Sequence, residues 1–184
     1  MNEKIANLPL ERIDGTETSL AAFKGKVLLV VNVASQCGLT PQYEGLEKLH
    51  KSHQARGLVV MGFPANEFGA QEPGTNAEIQ EFCRAKFGID FPMFSKIVVK
   101  GEGQHPLYQH LTETLPEARY PADSTMRTRL EKYGMKQEKP NDILWNFEKF
   151  LINRQGDVVA RFSPDTTPDD PTLTQAIETE LARA

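Results

Sequence analysis

The stretch Val27-Leu28-Leu29-Val30-Val31-Asn32-Val33 does most to decide what this chain can fold into. It is short, rich in β-branched residues and free of charge, the composition of a strand buried on both faces. It runs into Ala34-Ser35-Gln36-Cys37-Gly38-Leu39-Thr40, and a helical pattern begins near Thr40-Pro41. Tyr43, Leu46, Leu49 and His53 recur at helical spacing, and proline suits a first helical turn. Cys37 is thereby placed at the carboxyl end of a central strand, just ahead of a helix N-terminus. Chemistry gathers at that edge of an open α/β sheet. The positive end of a helix favours a thiolate over a thiol. A free cysteine is also often a small buried hydrophobe, but this position favours the reactive reading.

The rest of the chain supplies the partners of that strand. Residues 5–19 read as a hairpin turning at Asp14-Gly15, and Leu20–Phe23 as a short helical turn. The first long helix stops near Arg56-Gly57, and Leu58–Phe63, closed by Pro64, is a second buried strand. A loop from Ala65 to Gly74 leaves the sheet edge that carries Cys37. Thr75-Asn76-Ala77-Glu78 has the form of a capping box, with Ile79, Phe82, Cys83 and Phe87 striping the helix behind it. On this pattern alone Cys83 is a core-packing residue. Ile97–Val99 suggests a further strand, and His105-Pro106 opens a helix to about Thr114. Residues 115–142 are polar and proline-punctuated, with a short helix from Ser124 to Tyr133, and read as an insertion. From Arg119 to Lys139 six basic residues face three acidic ones, a flank able to attract an anionic thiol or an acidic protein. Trp145-Asn146 precedes a hairpin, Phe147–Ile152 and Val158–Phe162, turning at 155–156. A last helix starts at Asp170-Pro171, with Leu173, Ile177 and Leu181 on its buried stripe.

Length and charge narrow the function. A chain of 184 residues fits a single domain spanning 1–184. A net charge of −4 gives nucleic-acid binding no support. No Gly-x-x-x-x-Gly-Lys pattern is present, so no P-loop is expected. The two cysteines, Cys37 and Cys83, form no CxxC, and no metal site or cofactor is expected. His50 and His53 read as a solvated helix face. The N-terminus lacks an apolar signal core, and no apolar run reaches membrane-spanning length. A cytoplasmic, reducing setting is the expectation. There, two cysteines are catalytic or free more often than bridged.

The summed pattern is an α/β fold: a mixed central sheet flanked by helices, with an N-terminal β-hairpin and an insertion at about 115–142. Three motifs then coincide. They are Asn32-Val33-Ala34-Ser35-Gln36-Cys37-Gly38 with Thr40, Phe63-Pro64-Ala65-Asn66-Glu67-Phe68-Gly69-x-Gln71-Glu72-Pro73-Gly74, and Trp145-Asn146-Phe147-x-Lys149-Phe150-Leu151. In this order they strongly resemble the glutathione peroxidase family, over nearly the whole chain from about Ile5 to Leu181. The resemblance implies a thioredoxin-like fold and the reduction of hydrogen peroxide or organic hydroperoxides. The family nucleophile is selenocysteine or cysteine, and Cys37 takes that position. The other members of the family's catalytic tetrad fall on Gln71, Trp145 and Asn146. All three are neutral donors suited to a developing oxyanion. None can take the thiol proton, which would leave through water or the peroxide.

The resemblance also changes the reading of Cys83. In many cysteine-type members the resolving cysteine lies in a segment like Glu81-Phe82-Cys83-Arg84-x-Lys86-Phe87. Cys83 is then expected to form a disulfide with Cys37 after a sulfenic acid forms, with thioredoxin or glutathione as reductant and thioredoxin favoured. Two residues depart from the family loop: Ala65 stands where a cysteine is usual, and Glu67 where a glutamine is usual. Glu67 is expected to point outward or to pair with a cation. Short-loop members lack a segment like 115–142 and are usually monomers, whereas tetrameric members carry one, so monomer and homo-oligomer both stay open. The alternative function is a peroxide-sensing relay that passes its oxidation to a regulatory protein.

Overall fold

The computed structural model describes residues 1–135 and 137–183. A short helix α1 (Glu3–Ala6) precedes a small hairpin, β1 (Leu10–Glu11) and β2 (Glu17–Thr18), which is antiparallel. It turns at Asp14-Gly15 as expected. Gly15 has φ 90°, a left-handed value that glycine adopts freely, and Arg12 N–H reaches Thr16 O at 2.8 Å. The hairpin is shorter than 5–19 because Asn2 caps α1 at its start. A single 3-10 turn, Leu20–Phe23, leads into β3 (Val27–Val33), buried at every position.

Helix α2 (Gln42–His53) and a 3-10 turn end at Gly57, φ 110°, and β4 (Leu58–Pro64) follows. Then come α3 (Asn76–Phe87), α4 (Pro106–Thr114), α5 (Met126–Lys132), β5 (Lys149–Ile152), β6 (Val158–Phe162) and α6 (Pro171–Ala182). The sheet order is β4-β3-β5-β6. The pair β3–β4 is parallel, Val27 opposite Leu58 and Val33 opposite Pro64, while β3–β5 and β5–β6 are antiparallel. A parallel β-α-β half joined to an antiparallel β-β-α half is the thioredoxin-like arrangement. Helix α2 packs on β4, α6 on β3, and α3 against α2.

Three expectations need correction. No strand forms at Ile97–Val99. The edge of β4 is taken by residues 91–94, through Gly62 N–H to Pro92 O (3.0 Å) and Phe94 N–H to Gly62 O (2.9 Å). Ile97 N–H then reaches Pro64 O at 3.0 Å, and Pro64 has no N–H to return, so the ladder stops there. Strand β5 begins at Lys149 because Phe147 has φ 70° and cannot continue an extended chain. His50 does not sit on a solvated face. It is buried, and its Nδ1 accepts from Val60 N–H at 3.2 Å.

The insertion is held down by one side chain. Arg161, buried on β6, pairs with buried Glu148 at 2.7 Å and donates to the carbonyls of Leu115 (2.8 Å), Asn141 (3.1 Å) and Asp142 (2.9 Å). Both ends of the 115–142 excursion are thereby tied to the sheet. Within it Tyr133 and Met135 stay exposed. The basic residue Lys136, counted above in the positive flank, lies outside the described residues.

Candidate active site

The loop after β3 folds back on itself before α2 begins. Cys37 N–H donates to Thr40 Oγ1 at 3.0 Å, and that hydroxyl donates to Ala34 O at 2.8 Å. Thr40 N–H reaches Cys37 O at 3.1 Å, and Tyr43 N–H reaches Thr40 O at 3.0 Å. The chain therefore turns for several residues before α2 opens at Gln42, slightly later than the Thr40-Pro41 pattern predicts. Leu39 N–H points at Cys37 Sγ, 3.3 Å away. A thiolate accepts such a bond more strongly than a thiol does.

Gln71, Trp145 and Asn146 come together beside this loop. Asn146 Nδ2 donates to Gln71 Oε1 at 3.0 Å, which fixes the Gln71 amide and leaves its Nε2 end free to donate. Gln36 N–H donates to Gln71 O at 3.0 Å, tying the residue before Cys37 to the same loop. A Cβ on Gly69 would meet the Trp145 ring at 3.2 Å and Gln71 Cγ at 3.6 Å, so ring and amide flank one bare backbone position. Gly69 (φ 68°) and Ala70 (φ 51°) are both left-handed, and this double turn swings Gln71 back toward the sheet. Phe68 packs against the indole with ring centroids 5.6 Å apart.

One organising residue has no assigned role in the sequence reading. Asn32, buried near the end of β3, donates from Nδ2 to Trp145 O at 3.1 Å, and its carbonyl accepts Phe147 N–H at 2.6 Å. These bonds hold Trp145-Asn146-Phe147 in the bend that the positive φ of Phe147 requires. The Phe147 ring also locks edge-on against Tyr43 at 5.5 Å. A polar residue interrupting an otherwise apolar strand was the available signal.

Cys83 lies on α3, buried at 2% exposure, and faces Tyr43 of α2 and Glu72 of the loop. Burial pushes its thiol up to about 11; the Tyr43 hydroxyl pulls the other way, and the Glu72 charge adds to the rise. Both cysteines are buried free thiols. Glu67 does not point outward. Half-buried, it accepts Val99 N–H at 2.7 Å and Asn66 N–H at 3.2 Å. Burial raises its carboxyl; those two backbone bonds and, as the cation half of the expectation has it, the nearby Lys96 and Lys100 charges oppose the rise. Among the described residues no group of three His, Cys, Asp or Glu side chains is placed to hold a metal ion, and no helix is long and apolar enough to cross a membrane.

Comparison with known proteins agrees with this geometry. The family model described as glutathione peroxidase matches residues 5–112. The chain is 51% identical over 183 residues to thioredoxin/glutathione peroxidase BtuE of Escherichia coli (strain K12), covering 100% of both chains. It is 43% identical over 169 residues to hydroperoxy fatty acid reductase gpx1 of Synechocystis, covering 92% of each. Among solved structures, apo Trgpx superposes with a TM-score of 0.70 at 30% identity, over 97% of this chain and 95% of that one. A thiol at the strand end, a fold shared with a solved relative and identity along the full length lead to one conclusion: the chain belongs to the glutathione peroxidase family and is a peroxidase.

Proposed function

We propose that the chain reduces hydrogen peroxide and organic hydroperoxides at Cys37, with Gln71, Trp145 and Asn146 as the donors around the reacting atoms. The observation that carries this reading is the Asn146–Gln71 bond, which draws two distant segments together beside the Cys37 loop. The Cys37 thiolate attacks one peroxide oxygen, the O–O bond breaks, and the other oxygen leaves as hydroxide or alkoxide. The free Gln71 Nε2, the indole N–H and the second Asn146 hydrogen are suited to that leaving charge. Leu39 N–H supports the sulfur before the attack.

Cys83 then attacks the Cys37 sulfenic acid, forming a disulfide and releasing water. Bridged Cα atoms must lie within about 7 Å, so α3, on which Cys83 is packed inward, has to unwind in part wherever the two cysteines start farther apart than that. A disulfide between two cysteines of one chain suits a dithiol reductant of the thioredoxin class better than glutathione. The similarity to a thioredoxin/glutathione peroxidase supports either thiol. The relay reading has no comparable support, since the relatives named above are peroxidases or reductases.

The test supplies thioredoxin with its reductase, or glutathione, and follows peroxide consumption. Turnover with thioredoxin, weaker with glutathione and lost in Cys37→Ser, is expected. Negligible turnover with both reductants would contradict the proposal.

A further inference from the structure

Behind the Cys37 loop lies a buried polar cluster that the peroxide reaction does not use. Glu72 is 1% exposed. Its backbone is held at both ends, the N–H by Asn66 Oδ1 at 2.9 Å and the carbonyl by Lys96 Nζ at 2.8 Å. One carboxylate oxygen, Oε2, has no close hydrogen-bond partner among the described residues, while the Ser35 hydroxyl lies toward the carboxylate and the Tyr43 hydroxyl toward Cys83. A buried carboxylate oxygen left without a close partner is costly unless a reaction uses it. Ser35, two residues before Cys37, lies beside the Glu72 carboxylate, and both Cys83 and Tyr43 sense its charge. A cavity of about 190 Å³ is lined by Ser35 and Gln36, by Glu72 and Gly74, and by Glu78, Ile79 and Phe82 of α3, so Glu72 shares it with the helix that carries Cys83.

We propose that Glu72 is the proton acceptor for Cys83 in the disulfide-forming step, with the Tyr43 hydroxyl donating to the thiolate left behind. This rests on Cys83 being the resolving cysteine. While Cys83 is still packed on α3, its Sγ proton passes to a Glu72 carboxylate oxygen, before any movement of the helix toward Cys37. The thiolate attacks Cys37 sulfur, an S–S bond forms, the S–OH bond breaks, and hydroxide leaves and takes the proton back from Glu72 as water. Cys83 is oxidised, the sulfenic sulfur is reduced, and no other reactant is needed.

The charges agree with this route. A thiol pushed up to about 11 is inert at neutral pH. Ionising it beside a charged Glu72 would place two anions in one buried site. Moving the proton onto Glu72 keeps a single negative charge throughout. Burial raises the Glu72 carboxyl, while Ser35 and Lys96 oppose the rise, so the group can accept a proton. Glu78, which also lines the cavity, is engaged by Thr75 N–H and does not compete.

The experiment is Glu72→Gln, with rapid-quench measurement of sulfenic acid formation and of disulfide formation after one equivalent of peroxide, across a pH series. Sulfenic acid should form at the native rate. Disulfide formation should slow by about a hundredfold near neutral pH and then recover about tenfold per pH unit as hydroxide ionises Cys83. A purely electrostatic Glu72 gives the opposite sign, because removing its charge would speed the variant. If Glu72→Gln forms the disulfide at or above the native rate, the Glu72 role is overturned while the Cys83 reading stands. If the native enzyme forms no Cys37–Cys83 disulfide, the Cys83 reading fails and takes this inference with it. Should the variant fold poorly, the native enzyme decides alone. Its disulfide rate should be nearly flat near neutral pH and decline in acid as Glu72 takes up a proton. A steady tenfold rise per unit across neutral pH would overturn the proposal.

Discussion

At Trp145 a core aromatic is proposed to double as a donor; the benzo edge of its ring lies against the bare backbone of Gly69, next to Gln71 Cγ. Trp145→Phe keeps the ring and removes the N–H. Stopped-flow measurement should show the peroxide rate constant lowered by about a hundredfold, with the melting temperature little changed. An unchanged rate would remove the indole from the reacting shell. His50 makes a second prediction at this scale. Its buried ring accepts Val60 N–H, and burial lowers it from 6.5 despite nearby Glu47. The unfolded chain therefore takes up a proton more readily than the folded one, and stability is lost as pH falls below 6.5. His50→Gln, which retains an acceptor, should melt with a flatter pH dependence over that range. The donor residues were legible because their types sit inside motifs. The roles of Asn32, Tyr43 and Glu72 were not, because contacts between distant segments leave no periodic trace in sequence.

Helix α3 carries the element whose stability should set the pace of the cycle. Its capping box is complete: Thr75 Oγ1 accepts Glu78 N–H at 3.2 Å, and Glu78 returns the bond to Thr75 N–H at 3.0 Å. Thr75→Ala should cost the helix about 1 kcal/mol. If α3 must open to release Cys83, the open population rises, and disulfide formation should speed up about fivefold. Equal or slower formation would show that α3 stays closed. At the other end of the sheet, Arg161→Met would leave Glu148 buried without its charge partner and free three insertion carbonyls. Urea unfolding should report a loss of about 3–5 kcal/mol. At this scale the sequence was readable where period and caps agree, as in β3, β4, α3 and α6. It misled at Ile97–Val99, where β-branched residues look like a strand but Pro64 closes the available edge.

Over the whole molecule, the fold brings one loop and one hairpin entry together beside the strand end that carries Cys37. The same loop that supplies Gln71 supplies Glu72, facing the second cysteine. In the proposed cycle, successive residues of one loop serve the two half-reactions, Gln71 in peroxide reduction and Glu72 in disulfide formation. Topology was legible from the alternation of elements, since a buried strand, a helix and a second buried strand leave few ways to pair. The relation between the two thiols was not legible, because it depends on how α3 lies against α2. The most direct measurement is a non-reducing peptide map by mass spectrometry after one equivalent of hydroperoxide. The account predicts a single Cys37–Cys83 disulfide-linked peptide pair, two hydrogens lighter than the reduced peptides. Peroxide consumed with Cys37 unmodified, or a sulfenic acid persisting at Cys37 beside a free Cys83 thiol, would contradict it.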